Sequence, residues 1–150
     1  MLHDVLEHVS DWERVLAEVR RVLAPGAGVY IKGPSYAFRF VEPHYRLPWL
    51  PMLPKPIARR YLARLGRDTG YLEHLGYRRR GAVLRRLREL GFELSFPRRQ
   101  KLDDLSAINR PQVRRLVAPF ARGGPLAGVG RALADQPFQS VIDVVARVPR

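Results

Sequence analysis

Apolar residues recur at helical spacing in residues 11–24, three and four positions apart, which is the period of one helix face. They are Trp12, Val15, Leu16, Val19, Val22 and Leu23. Ser10 or Asp11 stands where an N-cap residue is expected, because both side chains can accept a hydrogen bond from the first turn. A proline and two glycines then end the pattern. The sequence predicts an amphipathic helix over these residues.

β-Branched and aromatic residues follow at 29–33 and predict a short buried strand. Helix, glycine turn and strand in this order are the unit of a parallel α/β sheet. The same order returns where an apolar helical pattern at 83–90, closed by Gly91, leads into a β-rich run at 92–96. A last β-rich run at 140–148 predicts the final strand. We therefore predict an α/β fold.

The segment of residues 34–56 contains six prolines, a density that neither a helix nor a strand tolerates. The apolar and aromatic residues between the prolines are too numerous for a disordered linker. We interpret the segment as an ordered lid or binding loop. A helix is predicted from Pro56 to about residue 65, with Ile57, Tyr61 and Leu65 along one apolar face.

Residues 102–135 predict a helical insert before the last strand. Asp103 or Asp104 is the candidate cap, and Pro111 is expected to restart the helix. The glycine pair at 123–124 is expected to break it.

The formal net charge is +13, and its distribution along the chain is uneven. Residues 1–42 carry five basic and six acidic side chains, whereas residues 43–150 carry 22 basic and 8 acidic ones. A basic excess of this size raises the possibility of a nucleic-acid or anionic-surface binder. Because the arginines are scattered and no recognised DNA- or RNA-binding motif is present, we expect no specific nucleic-acid partner and interpret the excess as a solvated basic face.

Cysteine is absent, which excludes disulfides, cysteine-based metal sites and cysteine nucleophiles; we expect no metal. No run of about 18 uncharged apolar residues is present, and Asp4 and Glu7 lie where a signal peptide requires basic residues. We expect a cytoplasmic protein.

The stretch DVLEHVSDWERVLAEVRRVLAPGAGVYI, residues 4–31, resembles class I S-adenosylmethionine (SAM)-dependent methyltransferases of the type 11-like group. In that family it runs from the end of the fourth strand, through a helix, to the fifth strand. LEHV, the helix, RRVLAPG and VYI stand in the family's order and spacing, with Ala27 where a second glycine is usual. EPHYRLPWLPMLPKPIARRY, residues 42–61, is similar to a lid after the fifth strand, and LRELGFEL, residues 87–94, to the entry into the sixth.

The resemblance implies the C-terminal part, strands 4 to 7, of a Rossmann-like methyltransferase sheet, with the last strand as the antiparallel seventh. The expected parts of this partial domain are the end of strand 4, the helix and strand 5 (1–33), the lid (34–56), helices with strand 6 (57–98), the helical insert (99–137) and strand 7 (138–150).

Ligands of open α/β sheets bind outside the carboxyl ends of the strands, which places the expected site at residues 4–8 and at the loop that begins at Gly33. By resemblance, the residues expected to bind the SAM cofactor are Asp4, Val5, Leu6, Glu7 and His8. Two structural alternatives remain open: Glu7 as a carboxylate that stabilises the helix dipole, and His8 as a packed turn residue.

Methyl transfer requires in-line placement, exclusion of water and, for a weakly acidic acceptor, a base. His44 and Tyr45 in the lid are the candidate general bases or substrate-orienting residues, because histidine titrates near neutrality. Tyr36, Phe38 and Trp49 are candidates for the wall of a substrate pocket, although such aromatic residues often only pack a loop down. The expected acceptor is a small or lipid-like molecule.

The family holds SAM with a glycine-rich turn after its first strand and an acidic residue after its second. The glycine stretches at 25–28 and 123–130 do not join a strand to a helix, so neither fits that role. We expect that the chain begins within the fourth strand, that it does not bind SAM alone and that it is inactive alone. An unpaired apolar sheet edge would favour association, which leaves a non-catalytic methyltransferase-like partner subunit as an alternative.

Overall fold

The computed structural model describes residues 1–36, 40–130 and 141–150. Four of its strands form a mixed sheet in the order β1-β2-β6-β5. Its strands are β1 Leu2–His3, β2 Gly28–Pro34, β5 Glu93–Ser95 and β6 Val141–Arg147. A separate two-stranded hairpin consists of β3 Val41–Glu42 and β4 Leu47–Pro48.

A helical stretch begins at residue 127, and six further helices lie wholly within the described residues. They are α1 Trp12–Val22, α2 Lys55–Arg64, α3 Gly70–His74, α4 Arg80–Glu89, α5 Pro97–Asp103 and α6 Pro111–Val117. Short 3-10 turns lie at Leu50–Met52, Leu105–Ala107 and Ala118–Phe120. Within the described part, no helix combines the length and the apolar composition needed to cross a bilayer.

The pairing in the main sheet is parallel on one side and antiparallel on the other. β1 pairs parallel to β2, with Leu2 opposite Ile31, whereas β6 is antiparallel to both β2 and β5. Alternate residues of β6 are buried, namely Ile142, Val144 and Ala146, as expected of a strand with one face on the core. The predicted α/β fold with an antiparallel last strand is confirmed, and the numbering of the strands as fourth to seventh stays a prediction.

The first helix begins where the sequence predicts. The Asp11 side chain accepts a hydrogen bond from the Arg14 backbone N–H at 3.0 Å, so Asp11 is the N-cap. Leu16 is completely buried against the sheet. The helix predicted at residues 83–90 is also confirmed, as α4. Gly91 follows it with φ of +77°, a left-handed conformation that glycine adopts without strain.

The main core lies between the sheet and the helices α1 and α4. It contains Leu6, Leu16, Val29, Ile31, Val83, Leu84, Leu87, Phe92, Ile142, Val144, Ala146 and Val148. A second, smaller cluster of Leu50, Ala58, Leu62 and Leu72 joins the 3-10 turn after the hairpin to α2 and α3.

The proline-rich segment contains more regular structure than predicted, because it forms the β3-β4 hairpin. Val41 lies opposite Pro48, which has no N–H to donate. The donors of the hairpin are instead the backbone N–H groups of Arg46, to Glu42 O at 2.7 Å, and Trp49, to Phe40 O at 2.8 Å. A two-residue ladder flanked by these donors therefore tolerates a proline that a longer strand would not.

The helix α2 is present as predicted, but its buried face is not the expected one. Ile57 is 50% exposed and Leu65 is 47% exposed, whereas Ala58 and Leu62 have no exposed surface. Ala58 and Leu62 each follow a residue of the expected stripe by one position, and both side chains pack in the second cluster. Tyr61 packs at the edge of that cluster.

The described part of the insert before the last strand contains short helices and 3-10 turns separated by non-helical residues. It begins earlier than predicted, at Pro97. The Asp104 side chain accepts from Ser106 N at 2.9 Å and caps the following 3-10 turn, and Pro111 is the first residue of α6, as expected of a restart. The end of the insert and the first residue of the predicted last strand lie in residues 131–140, outside the described residues.

Candidate active site

A cavity of about 300 Å³ opens at the carboxyl ends of β1 and β2, where the sequence places the ligand. Four segments that are distant in sequence meet there: the turn after β1, the end of β2, the tip of the β3-β4 hairpin and the first residue of β6. The lining residues are Asp4, Glu7, Lys32, Gly33, Pro34, Pro43, His44 and Val141. The structure thus brings together three predicted site residues, Asp4, Glu7 and His44; we call this cavity the crevice.

Asp4 is held in an uncommon backbone conformation at the rim of the crevice. Its φ is +51°, in the left-handed region that asparagine and aspartate tolerate better than other residues. Its N–H donates to Lys32 O at 2.8 Å, which ties the end of β1 to β2. Its carboxylate is about half exposed and lies 3.2 Å from His3 Nδ1. An exposed carboxylate is therefore presented at the carboxyl end of the sheet.

Glu7 lies deeper and is only 3% exposed. Burial raises the pKa of its carboxyl, and the nearby Asp4 raises it further, while a backbone hydrogen bond and the histidines His8 and His44 act in the opposite direction. Because α1 begins at Trp12, Glu7 precedes the helix and does not occupy its first turn. The helix-dipole alternative for Glu7 is thus not supported.

Gly33 allows the close approach of β2 to the two carboxylates. A Cβ atom at this position would lie 3.3 Å from Glu7 Oε2 and 3.8 Å from Asp4 Oδ1. A larger side chain would fill the space in front of both acids. The glycine therefore keeps this part of the crevice open.

The other predicted cofactor residues have different environments. Leu6 is buried in the main core, Val5 is half-buried, and the backbone carbonyl of Val5 accepts from His8 N at 3.0 Å. His8 is exposed, with its ring centroid 5.6 Å from that of His44 and 6.2 Å from that of Tyr71. Leu6 thus packs the turn onto the core, and His8 lies next to the lid.

Arg78, in the non-helical segment before α4, holds the turn in place. Its guanidinium donates to the carbonyl oxygens of Val9 at 2.8 Å and Ser10 at 3.1 Å, with a longer bond to Leu6 O at 3.4 Å. Partial burial lowers the pKa of Arg78. The local sequence pattern does not reveal this role, because the three acceptors lie about 70 positions away in the chain.

The lid contributes a buried carboxylate that sequence reasoning missed. Glu42 has no exposed surface. Its Oε1 lies 2.8 Å from His44 Nδ1, within hydrogen-bond distance, and accepts from Tyr36 Oη at 3.4 Å. Its Oε2 accepts from the Tyr45 backbone N–H at 2.6 Å. The signal available in the sequence was a carboxylate two positions before a candidate base, in the string EPH.

The two predicted bases lie in different surroundings. The His44 side chain is 30% exposed and lines the crevice. The Tyr45 ring packs against the second cluster and is not one of the described residues that line the crevice. Burial raises the pKa of Tyr45, and the neighbouring Asp68 adds to that effect. A phenol with a raised pKa is a poor base at neutral pH, so the geometry favours His44.

The predicted substrate-wall residues do not line the crevice in the part of the chain that the structure describes. Tyr36 is buried, with its ring centroid 4.6 Å from that of Tyr77. Trp49 is exposed and contacts the Phe40 ring edge-on at 4.3 Å between centroids. Phe38 lies outside the described residues. The role of all three in substrate binding stays a prediction.

The residues of the crevice fit a cationic ligand such as the sulfonium of SAM, because Asp4 and Glu7 present two carboxylates beside the space that Gly33 leaves open. In residues 1–36, 40–130 and 141–150, no glycine-rich turn joins a strand to a helix. The fit to a cation therefore concerns the side of the crevice that Asp4 and Glu7 form, and Lys32 adds a positive charge to the same lining.

Comparison with protein families matches residues 1–31 to a family model described as a methyltransferase domain. Comparisons with curated proteins and with solved structures gave no match. The matched residues comprise β1, the turn that carries Asp4 and Glu7, α1 and the beginning of β2. The other residues that line the crevice lie outside the match. The match supports the identification of residues 1–31 as part of a class I SAM-dependent methyltransferase-like domain.

Proposed function

We propose that this chain provides one wall of a SAM-dependent methyltransferase site, for methyl transfer to a small or lipid-like molecule. The observation that carries the proposal is the meeting of Asp4, Glu7 and His44 around one cavity of about 300 Å³ at the carboxyl ends of β1 and β2. The family match over residues 1–31 supports the same chemistry.

SAM supplies a methyl group on a positively charged sulfonium. The exposed carboxylate of Asp4 attracts such a cation directly. Glu7, whose pKa burial raises, is driven toward its ionised form when a cation lies beside it. Cation binding and Glu7 ionisation therefore favour each other.

The acceptor would occupy the side of the crevice that the lid covers. Pro34, Pro43 and Val141 give that side an apolar wall, and His44 adds a polar group to it. An apolar wall with one convergent polar group is typical of sites for small organic molecules. A lipid-like or small aromatic acceptor fits this wall.

The affinity of the chain alone for SAM is proposed to be weaker than micromolar, and no methyl transfer is expected from it alone. The glycine-rich turn and the ribose-binding carboxylate that the resemblance implies correspond to no described residue. The crevice can therefore contact SAM on one side of the ligand, through the charge of its carboxylates and through its shape.

An NMR titration of the ¹⁵N-labelled chain with SAM at millimolar concentration tests the function. We expect amide shifts concentrated in residues 4–8 and at Gly33, with the α6 amides unchanged. The variant Asp4→Asn should reduce the shifts, because it removes a charge from the rim of the crevice. The matched control Asp103→Asn removes an exposed carboxylate in α5 and should leave them as they are.

Equal shifts in Asp4→Asn and Asp103→Asn, or shifts spread evenly over the surface, would contradict the proposed cofactor wall. Calorimetry that measured micromolar affinity for SAM would overturn the proposed weak binding while leaving the site itself in place.

A second candidate function, a non-catalytic methyltransferase-like partner subunit, is favoured by the free edge of the sheet. Among the described residues β1 pairs with β2 alone, and Val22 of the neighbouring helix is 65% exposed. Val15, Val19 and Val22 line an open groove of about 630 Å³ along α1. A strand edge next to an apolar groove is suited to pairing with another chain.

A further inference from the structure

We propose that Glu42 is a positioning residue that orients the ring of His44 so that His44 accepts a proton. The molecule that receives the methyl group then carries a proton that it must lose, as a hydroxyl, a phenol or an amine does. The inference rests on the proposed function for the identity of the reaction. The geometry of the Glu42–His44 pair stands independently of it.

The Glu42 carboxylate is fixed at both oxygens. Oε1 accepts from His44 Nδ1 at 2.8 Å, and Oε2 accepts from the Tyr45 backbone N–H at 2.6 Å. A carboxylate without exposed surface cannot exchange these partners for water. It thus has one orientation, and the ring of His44 takes its orientation from it.

The hairpin explains how the His44 side chain contacts the carboxylate of Glu42, which lies only two positions earlier in the chain. Arg46 N donates to Glu42 O at 2.7 Å and closes the turn, and Arg46 adopts a φ of +55° to do so. The turn places the ring of His44 next to the buried side chain of Glu42, and it places Pro43 and His44 at the wall of the crevice. The side chain that lines the crevice is therefore the one that the carboxylate holds.

A hydrogen bond from Nδ1 to a carboxylate selects the tautomer of a histidine. With the proton on Nδ1, the lone pair of Nε2 is available to accept a proton from a ligand in the crevice. When Nε2 takes that proton, the buried carboxylate of Glu42 stabilises the resulting imidazolium. The pair has the base and orienting-group arrangement of acyl-transfer enzymes, here without a protein nucleophile.

The proton balance defines the class of acceptor. The acceptor oxygen or nitrogen forms a bond to the methyl carbon, the electron pair of the methyl–sulfur bond stays on sulfur, and the acceptor's proton moves to Nε2 of His44. The proton then leaves to solvent through the exposed part of the ring. An acceptor that is already an anion has no proton to give and would gain nothing from this pair.

Other groups around His44 come from two further segments, the turn after β1 and α3. Glu7 faces it from the turn after β1, His8 lies at 5.6 Å between ring centroids, and Tyr71 of α3 lies at 5.3 Å. The ring of His44 therefore lies among two carboxyl groups, those of Glu42 and Glu7, a second imidazole and a phenol.

The tautomer of His44 is measurable by long-range ¹H–¹⁵N NMR, without any ligand. In the unchanged chain, we expect the neutral ring to carry its proton on Nδ1. In Glu42→Gln, the Tyr45 N–H still requires an oxygen, so the single amide oxygen faces it and the NH₂ group faces His44. We expect this variant to lose the Nδ1–H form and to carry the proton on Nε2.

The matched control Glu93→Gln, on an exposed residue of β5, should leave the His44 tautomer unchanged. A proton on Nε2 in the unchanged chain, or the same tautomer in Glu42→Gln, would overturn the positioning role. If Glu42→Gln does not fold, the spectrum of the unchanged chain decides the question.

Phenol and anisole, added separately, test the acceptor class. The two molecules share a ring, and only phenol has a proton to donate. We expect phenol to shift the Nε2 resonance of His44 and anisole to leave it in place. Equal shifts from both, or none from phenol, would overturn the acceptor class. A failed SAM titration beside a confirmed tautomer would remove the methyltransferase function and leave the Glu42–His44 pair.

Discussion

Glu7 and Glu42 are both buried, and their surroundings give the two carboxyl groups different properties. Glu42 accepts hydrogen bonds at both oxygens, which compensate for the loss of water. For Glu7, desolvation is the largest influence and raises its pKa. The sequence predicted Asp4, Glu7 and His44 as site residues, and the structure brings these three around one cavity, but their roles stay predictions. The sequence did not single out Glu42, because the contact of Glu42 with His44 depends on a hairpin that the local pattern did not predict.

Replacing Glu7 by Gln should change how stability depends on pH. A carboxyl group whose folded pKa is raised contributes stability below its ordinary value of 4.5, and this contribution is lost as the pH rises through the raised value. We therefore expect the free energy of unfolding of Glu7→Gln, relative to the unchanged chain, to increase between about pH 4 and about pH 7. Urea denaturation at the two pH values measures this.

The exposed residue Glu93 provides the comparison for Glu7. The variant Glu93→Gln should show nearly the same difference from the unchanged chain at both pH values, since its carboxylate is in contact with water. A relative stability of Glu7→Gln that stays constant or falls with pH would show that burial does not control this carboxyl group.

At the scale of the elements, local pattern predicted where helices and strands form better than it predicted which side faces the core. The spacing and caps of α1, and the left-handed Gly91 after α4, depend on residues within a few positions of each other. The buried face of α2 depends on the second cluster, to which Leu50 and Leu72 come from other segments.

The two faces of α2 should respond differently to truncation. Leu62→Ala removes a completely buried side chain and is expected to lower the free energy of unfolding by about 2–5 kcal/mol. Ile57→Ala, on the stripe that the sequence favoured, should cost less than about 0.5 kcal/mol, because Ile57 is half exposed. Urea denaturation of both variants measures the difference. An equal loss of unfolding free energy in the two variants would mean that Ile57 is as deeply buried as Leu62, which would contradict this orientation of α2.

At the scale of the whole molecule, the basic excess and the crevice are separate features. Among the described residues that line the crevice, Lys32 is the one lysine or arginine. The large basic excess after residue 42 therefore lies mostly on other surfaces, where charge governs solubility and nonspecific contacts more than fold. The free edge at β1 and the groove along α1 form the surface that is suited to association.

Association through this surface should depend on Val22. We expect sedimentation to show concentration-dependent association of the unchanged chain, and Val22→Lys to weaken it, because a charge in the apolar groove opposes burial. Leu116→Lys makes the same change at an exposed residue of α6 and should have no effect. A chain that stays monomeric at high concentration would count against the partner-subunit function.

The sequence by itself determined the elements whose signals are local: α1 with its cap, the strand after it, α4 with its closing glycine, and the residues of the turn at 4–8. These follow from periodicity and turn chemistry over a few positions. Only the tertiary structure decided the pairing of β6 between β2 and β5, the buried side of α2 and the joining of Glu42 to His44 beside Glu7. Each of these depends on contacts between segments far apart in the chain, and packing selects among local alternatives that the sequence pattern leaves equally acceptable.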